Sequence, residues 1–600
     1  MDRRTVLAFV LIFLILAGYP YLMNKINPRP EPVATVAADS TLVTDSGLTV
    51  AEPEAVPGGQ AFPDDQPGYG ETESPAASAV PVTPEQALAL AADAPEQIIT
   101  VRTPLYHLNI STVGGRIVSW KGLQFDHWQG GPVELIPADT PDRGLDALFF
   151  RGGNLELGRA HYRADRTTVD LEAGSGSASV TLSAVTAGGL EISKIFTFHP
   201  DVYGIQMDMA LAAGSESARQ SLNLLGTPED FRFGWNQGIA PTERVQRMEL
   251  PSLRAVARIG EDYHYKKRDG LKKSVEKVEG QWRGSVHFAG LQNRYFTVIG
   301  IVPQEQGEPV EGSIRLSGEK EIMTQSWAID VPARRGVGDE IAIARLDLYL
   351  GPQDAELLQV YGQGLEKSLD LGWKIFRPLA EVVLWCMNFM HRFISNYGLI
   401  IIIFSVLTKL MFYPLTKTST ESMKKMQELQ PKMKALQEKY KNDKEKLNKA
   451  TMELYQQEKV NPLSGCLPLL VQSPVFIALY QALSHTITLR GQPFVLWIKD
   501  LSQPDAITQL PFSLPFLGAD LNVLPILMSV AMYFQTKLTP TSGGGQMAAM
   551  NTMMPLIMIF IFYNMPSGLV LYWLVNTLLQ GYQTWKIHQT APKSEGIEKA

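Results

Sequence analysis

The sequence predicts a polytopic α-helical membrane protein, an N-terminal anchor plus a five-helix core, with a large exported all-β sandwich domain and a cytoplasmic helical hairpin. Three observations predict it. Lys537 and Lys586 bracket 48 residues without one Asp, Glu, Lys or Arg, a stretch foreign to soluble domains of ordinary charge density. Six apolar segments approach the length of a bilayer core. Residues from about 100 to 350 run instead in short alternating segments. The mean hydropathy of -0.03 averages these unlike parts.

Taken in order, Arg3 and Arg4 precede an apolar run over residues 6–23, about 27 Å long as a helix. It reads as a transmembrane anchor over 1–23 with its basic end in the cytoplasm. A cleaved signal shares the basic start, but Ala17-Gly18 is followed at once by Tyr19, Pro20 and Tyr21, a weak cleavage site. Residues 28–98 hold twelve acids against Arg29 alone and are rich in Pro and Ala. Such a composition cannot offset its ordering entropy, so 24–98 is expected to be a disordered acidic linker. Over 99–352, alternating runs at 177–185, 190–198 and 205–211, each ended by Gly, Pro or Asp, predict the exported β-sandwich.

The chemistry of that domain reads as poor. The chain contains no HExxH, GxSxG or GxxxxGK[ST], and His107, His127, His161, His199, His264 and His287 are scattered. Cys386 and Cys466 form neither a disulfide framework nor a CxxC zinc pair. The sequence therefore predicts no catalytic residue, no metal, no cofactor and no enzyme activity. From Asp354 to Arg392 the pattern turns helical, with Leu365, Leu369, Trp373, Phe376, Leu379, Val383, Cys386 and Met390 at three- and four-residue spacing. Residues 353–395 are expected to lie along the outer membrane surface; packing on the β-domain is the other reading.

Further spans are expected at 396–416, 462–484, 521–538, 551–565 and 569–585, the last two joined by a tight turn at Pro566-Ser567-Gly568. Between the first two, 417–461 carries Met423, Met426, Leu429, Met433, Leu436 and Tyr440, then Leu447, Met452, Leu454 and Tyr455, divided by Asn442-Asp443. This predicts two amphipathic helices folded into a hairpin. Residues 417–460 hold eleven Lys against seven acids, whereas the 485–520 loop has Arg490 and Lys499 against Asp500, Asp505 and Asp520. The positive-inside rule then puts the hairpin, the 539–550 loop and the 586–600 tail in the cytoplasm, and the 485–520 loop outside. The hairpin's basic, Met-rich faces suit anionic lipid, a ribosome or a nascent chain; a solvated structural hairpin fits equally.

Lys409 lies inside the apolar run from Leu399 to Phe412. A charged residue near a bilayer centre costs at least about 2.5–3.5 kcal/mol, and none of the five C-terminal spans contains an acid. The ammonium must face a wet cavity or snorkel past Pro414 to the cytoplasmic interface. Ser405 one turn earlier, with Gln472, Gln535 and Asn576 in other spans, favours a polar cavity.

The series Tyr397-Gly398, Met411-Phe412-Tyr413-Pro414-Leu415-Thr416-Lys417, Glu458-Lys459-Val460-Asn461-Pro462-Leu463-Ser464-Gly465-Cys466 through Gln472, and Pro566-Ser567-Gly568-Leu569-Val570-Leu571-Tyr572-Trp573 resembles the YidC membrane protein insertase family. The large exported domain, opening at Ser111-Thr112-Val113-Gly114-Gly115, resembles the six-span Gram-negative type. The resemblance implies a multi-pass protein of the bacterial inner membrane with both termini cytoplasmic, its large domain periplasmic, and a five-helix core around a hydrophilic groove. It implies insertion and chaperoning of nascent membrane proteins, with the Sec translocon, ribosome, signal recognition particle and membrane lipids as partners and no specific nucleic-acid readout. The family's groove arginine, five positions before the Tyr-Pro-Leu proline, is Lys409 here, which keeps the charge but not the planar fork of donors. Lys409, Ser405, Gln472, Gln535 and Asn576 are the expected groove residues, and Tyr572 and Trp573 the expected lipid-facing slide. A secondary transporter using the intramembrane Lys is the alternative, although no inverted repeat of interrupted helices is visible.

Overall fold

The computed structural model describes residues 83–90, 95–138, 145–267, 278–304, 309–318, 325–370, 372, 375–441, 443–458, 467–514, 517–538 and 545–589. The expected anchor, nearly all of the linker, Trp373, Cys466 and the tail from residue 590 lie outside them.

The first half is a large β-rich domain. Strands Pro132–Glu134, Arg116–Asp126, Tyr106–Ser111, Ile98–Arg102 and Thr168–Asp170 form, in that order, a five-stranded sheet. A second sheet of fifteen strands has Gly204–Ala212 between Glu191–Phe198 and Glu340–Pro352, all antiparallel. One apolar core joins the two, with Val101, Leu108 and Trp120 from the first and Leu182, Phe196, Leu346 and Trp327 from the second. The sequence gives this directly, because alternate side chains of a strand point to one face: in Glu191–Phe198, Ile192, Lys194, Phe196 and Phe198 are buried.

Lys194 breaks the apolar pattern, and its partners explain why. Its Nζ donates to Asp146 Oδ2 at 2.6 Å and to Gly114 O at 2.7 Å, while Asp146 Oδ1 accepts Gly234 N at 2.8 Å. A buried charge is tolerated where it is paired and fully hydrogen-bonded, and this one ties the Gly114 turn to the larger sheet.

Among the described residues four short helices, α1 (Pro84–Leu88), α2 (Glu216–Leu225), α3 (Gln246–Glu249) and α4 (Ala355–Gln359), decorate the domain. The long helix expected from Asp354 is interrupted: Gly362 and Gly364 take φ of 65° and 71°, a region that favours glycine. Leu358 and Leu365 turn into the β core instead. The continuous helix of this region is α5 (Arg377–His391), with Pro378 in its first turn where no N–H is missed. It buries Ala380, Val383 and Met387 and exposes Val382, Trp385 and Phe389, a stripe that Phe393 continues beyond its end.

The helical half follows. Helix α6 (Tyr397–Met411) is capped by the Asn396 side chain, which accepts Leu399 N at 3.1 Å. Phe412 alone separates it from α7 (Tyr413–Glu428), which α8 (Gln430–Lys439) continues with Pro431 in its first turn. Asp443 caps α9 (Lys444–Gln457), and Lys432 Nζ reaches Glu458 Oε1 at 2.6 Å across the arms. The hairpin thus has three helical pieces, the first arm being divided at Leu429. Then come α10 (Leu467–His485), α11 (Leu524–Leu538), α12 (Gly545–Phe562) and α13 (Ser567–Gln589). Among the described residues no helix is long and apolar enough to cross a membrane. Between α10 and α11 the sequence reading held only a loop, but Ala506–Leu514 and Gly518–Asn522 pair as a hairpin. Helix α13 is the hub, packing on α6, α7, α10 and α11.

Candidate functional site

Tyr572, Asn576, Gln580 and Gln583 of α13 recur at a spacing of three or four, which keeps them on one face of the helix, and each meets a partner from another helix. Tyr572 is 1% exposed and its hydroxyl accepts from Gln472 Nε2 on α10 at 3.5 Å. Asn576, one turn on, accepts from the same Gln472 Nε2 at 3.0 Å and spends its own Nδ2 on Tyr572 O at 2.9 Å. Gln580, a further turn on, accepts from Lys409 Nζ of α6. Gln583 and Thr416 of α7 pair at 3.3 Å, both buried. Four helices therefore contribute to one line of polar groups in otherwise apolar surroundings.

Lys409 is half-buried, and its partner is a neutral amide. Among the described residues no carboxylate forms an ion pair with it. A positive charge with hydrogen-bonding but no counter-ion is left available to an anionic group that arrives from elsewhere.

The structure unites Gln472, Asn576 and Tyr572, and it brings Lys409 to the same face of α13. Ser405 is fully buried with its hydroxyl donating to Ile401 O at 2.7 Å, so its proton is committed to its own helix; Thr408 likewise donates to Ser405 O at 3.0 Å. Gln535 sits half-buried on α11, outside these bonds. Tyr572, expected at a lipid-facing position, is instead buried against Phe404 (6.3 Å between rings) with its hydroxyl in the polar line. Trp573, the other expected slide residue, is half-buried, edge-on to Phe476 at 4.8 Å and 5.1 Å from Phe562. Sequence reasoning missed Gln580, Gln583 and Thr416. The repeat Tyr572, Asn576, Gln580 in the last helix was the signal that could have found Gln580.

Two family descriptions match the chain in tandem: a YidC periplasmic domain over residues 98–386 and a 60Kd inner membrane protein over residues 389–594. The membrane protein insertase YidC of Syntrophus aciditrophicus is 32% identical over 98% of this chain and 100% of its own. That of Geobacter metallireducens is 33% identical over 99% and 100%. A crystal structure of an active YidC insertase is similar over 83% of this chain and 94% of its own, at 18% identity and a TM-score of 0.36. With relatives matched from end to end at a third of all positions, and both halves accounted for, the chain belongs to the YidC membrane protein insertase family.

Proposed function

We propose that this chain is a membrane protein insertase and chaperone of the bacterial inner membrane, working through the polar line between α6, α7, α10 and α13. The reading has six spans, both termini and the 417–461 hairpin in the cytoplasm, and the β-rich domain as a periplasmic sandwich. The observation that carries it is the pairing of Lys409, Gln472, Tyr572, Asn576 and Gln580 inside an apolar helical bundle. A short hydrophilic tail of a nascent membrane protein, drawn by the Lys409 charge, exchanges water for these amides and hydroxyls. That exchange lowers the cost of carrying polar groups part-way across the bilayer. The apolar segment then partitions into lipid past Trp573, and hydrophobic transfer supplies the driving force, so no nucleotide is consumed.

The Lys-rich hairpin receives the substrate, with the ribosome and signal recognition particle on the delivery side and the Sec translocon as a collaborator. The exposed stripe of Val382, Trp385, Phe389 and Phe393 rests at the outer lipid interface. The test is reconstitution into liposomes. The reading expects protease-protected insertion of a short single-span protein with no added nucleotide and no solute leak; solute flux without insertion would turn the assignment to a transporter.

A further inference from the structure

We propose that Glu243 and Arg294 are positioning residues for the polar line: through them the β-rich domain sets the spacing between the ends of α10 and α13, the helices that carry Gln472 and Tyr572/Asn576. The proposal rests on the functional reading above and adds to it a role for the exported domain.

The last carbonyls of a helix and its first N–H groups have no partner within the helix. At the end of α10, Ser484 O accepts from Arg294 Nε at 2.9 Å. Arg294 is buried and comes from the turn between strands Val278–Gln292 and Phe296–Ile301 of the β-rich domain. At the start of α13, Ser567 N donates to Gln503 O at 2.8 Å, Gly568 N to Leu501 O at 3.0 Å and Ser567 Oγ to Asp500 O at 2.9 Å. The strap of residues 500–503 therefore caps α13. The approach is close: a Cβ on Gly568 would stand 3.1 Å from both Leu501 O and Ile401 Cδ1, so one of them would have to give by a few tenths of an ångström.

The strap is fastened to the β-rich domain in its turn. Gln503 Nε2 donates to Glu243 Oε2 at 2.5 Å, and Arg294 Nη2 to Ser502 O at 3.5 Å. Arg490, from the same loop, enters the domain: its Nε donates to Glu243 Oε1 at 2.6 Å, Nη1 to Asp126 O at 3.0 Å and Nη2 to Thr242 O at 3.2 Å, over the ring of Phe296. The Arg490 and Glu243 side chains are 6% and 4% exposed. One carboxylate thus grips both the strap and the loop that bears it, and one guanidinium bridges the end of α10 to the strap that caps α13. Planar, multidentate arginine contacts fix geometry where a lysine would not. Simple docking of a domain onto a helical bundle would not need one arginine to hold both the end of α10 and the strap that caps α13.

The experiment is hydrogen–deuterium exchange on the full-length protein in nanodiscs, comparing wild type with Arg294→Gln, Glu243→Ala and Glu243→Gln. Amides of residues 567–572 and 482–485 report the helix ends, and those of Phe296–Ile301 report the β-rich domain. Arg294→Gln and Glu243→Ala are expected to raise exchange at both helix ends at least 10-fold with the strands unchanged, and to slow liposome insertion by about 10-fold. Glu243→Gln, which keeps an acceptor for Arg490 or Gln503, is expected to recover most of the protection. If the strands also open in a variant, Arg490→Lys is read by the same criterion. Wild-type exchange at both helix ends in folded variants overturns the clamp, whatever the insertion result. Loss of protection with wild-type insertion keeps the clamp and instead sinks the placing of the substrate site between α10 and α13.

Discussion

Glu249, at the end of α3, offers a pH-dependent test of the junction region. It is 1% exposed and clasped by Thr242 N (2.8 Å), Thr242 Oγ1 (3.1 Å) and Glu243 N (3.1 Å). Burial pushes its carboxyl up to about 7 from an ordinary 4.5, the neighbouring Glu243 charge adding to the effect and the Thr242 and Glu243 hydrogen bonds opposing it. In the unfolded chain the group ionises near 4.5; in the folded chain it holds its proton until about 7. Stability from this group is therefore fully present below 4.5, falls as pH rises from 4.5 to 7, and is flat above. At about 1.36 kcal/mol for each tenfold change in proton activity, the window amounts to roughly 3 kcal/mol. The perturbation is Glu249→Gln, which mimics the neutral carboxyl at every pH. Gln sets an NH2 against one of the donors, costing about 1 kcal/mol, but that offset is the same throughout and drops out of the pH trend. The assay is urea unfolding of the β-rich domain in the full-length protein between pH 4.5 and 8. The variant's stability relative to wild type should rise by about 3 kcal/mol up to pH 7 and then level off. A difference that does not change with pH, or that falls, would refute the reasoning.

Two further outcomes follow from packing. Lys194→Met strands the Asp146 carboxylate beside a buried apolar side chain, and breaking a buried pair from one side costs about 3–5 kcal/mol; a loss under 1 kcal/mol in the same urea assay would mean that water replaces the ammonium. At Gly398 an added Cβ would stand 2.0 Å from Phe494 Cδ2, so Gly398→Ala should displace the Phe494 loop from the start of α6 and cost about 1–3 kcal/mol, read as faster proteolysis of the 490–500 loop. Unchanged cleavage would show that the ring simply rotates away.

How far the sequence could be read depended on the range of the interactions. Strand alternation in Glu191–Phe198 is a local pattern and the strand forms there, whereas the helical spacing read from Asp354 to Arg392 yields a continuous helix only over Arg377–His391. Lys409, Gln472 and Asn576 stood out because a polar residue in an apolar run has few ways to be satisfied. Gln580 and Gln583 did not, since polar residues near a helix end carry little information. Tyr572 was misjudged because its ring suits a lipid interface as well as a buried hydrogen bond. The Arg490–Glu243 contact joins residues 247 apart in sequence, and nothing local marks either as buried. The break at Gly362 and Gly364, both at positive φ, is hidden in the sequence by the apolar spacing that continues on either side of it.

The central claim is that the Lys409 charge, held by Gln580 without a counter-ion, acts on the substrate. The most direct measurement is insertion of a short single-span protein with an acidic exported tail into liposomes carrying wild type, Lys409→Arg, Lys409→Ala or Lys409→Glu. Activity kept by Arg, weakened by Ala and abolished by Glu is the predicted order, with the Ala defect shrinking when the tail is made neutral. Equal insertion by all four would contradict it, leaving Lys409 a bystander at the interface.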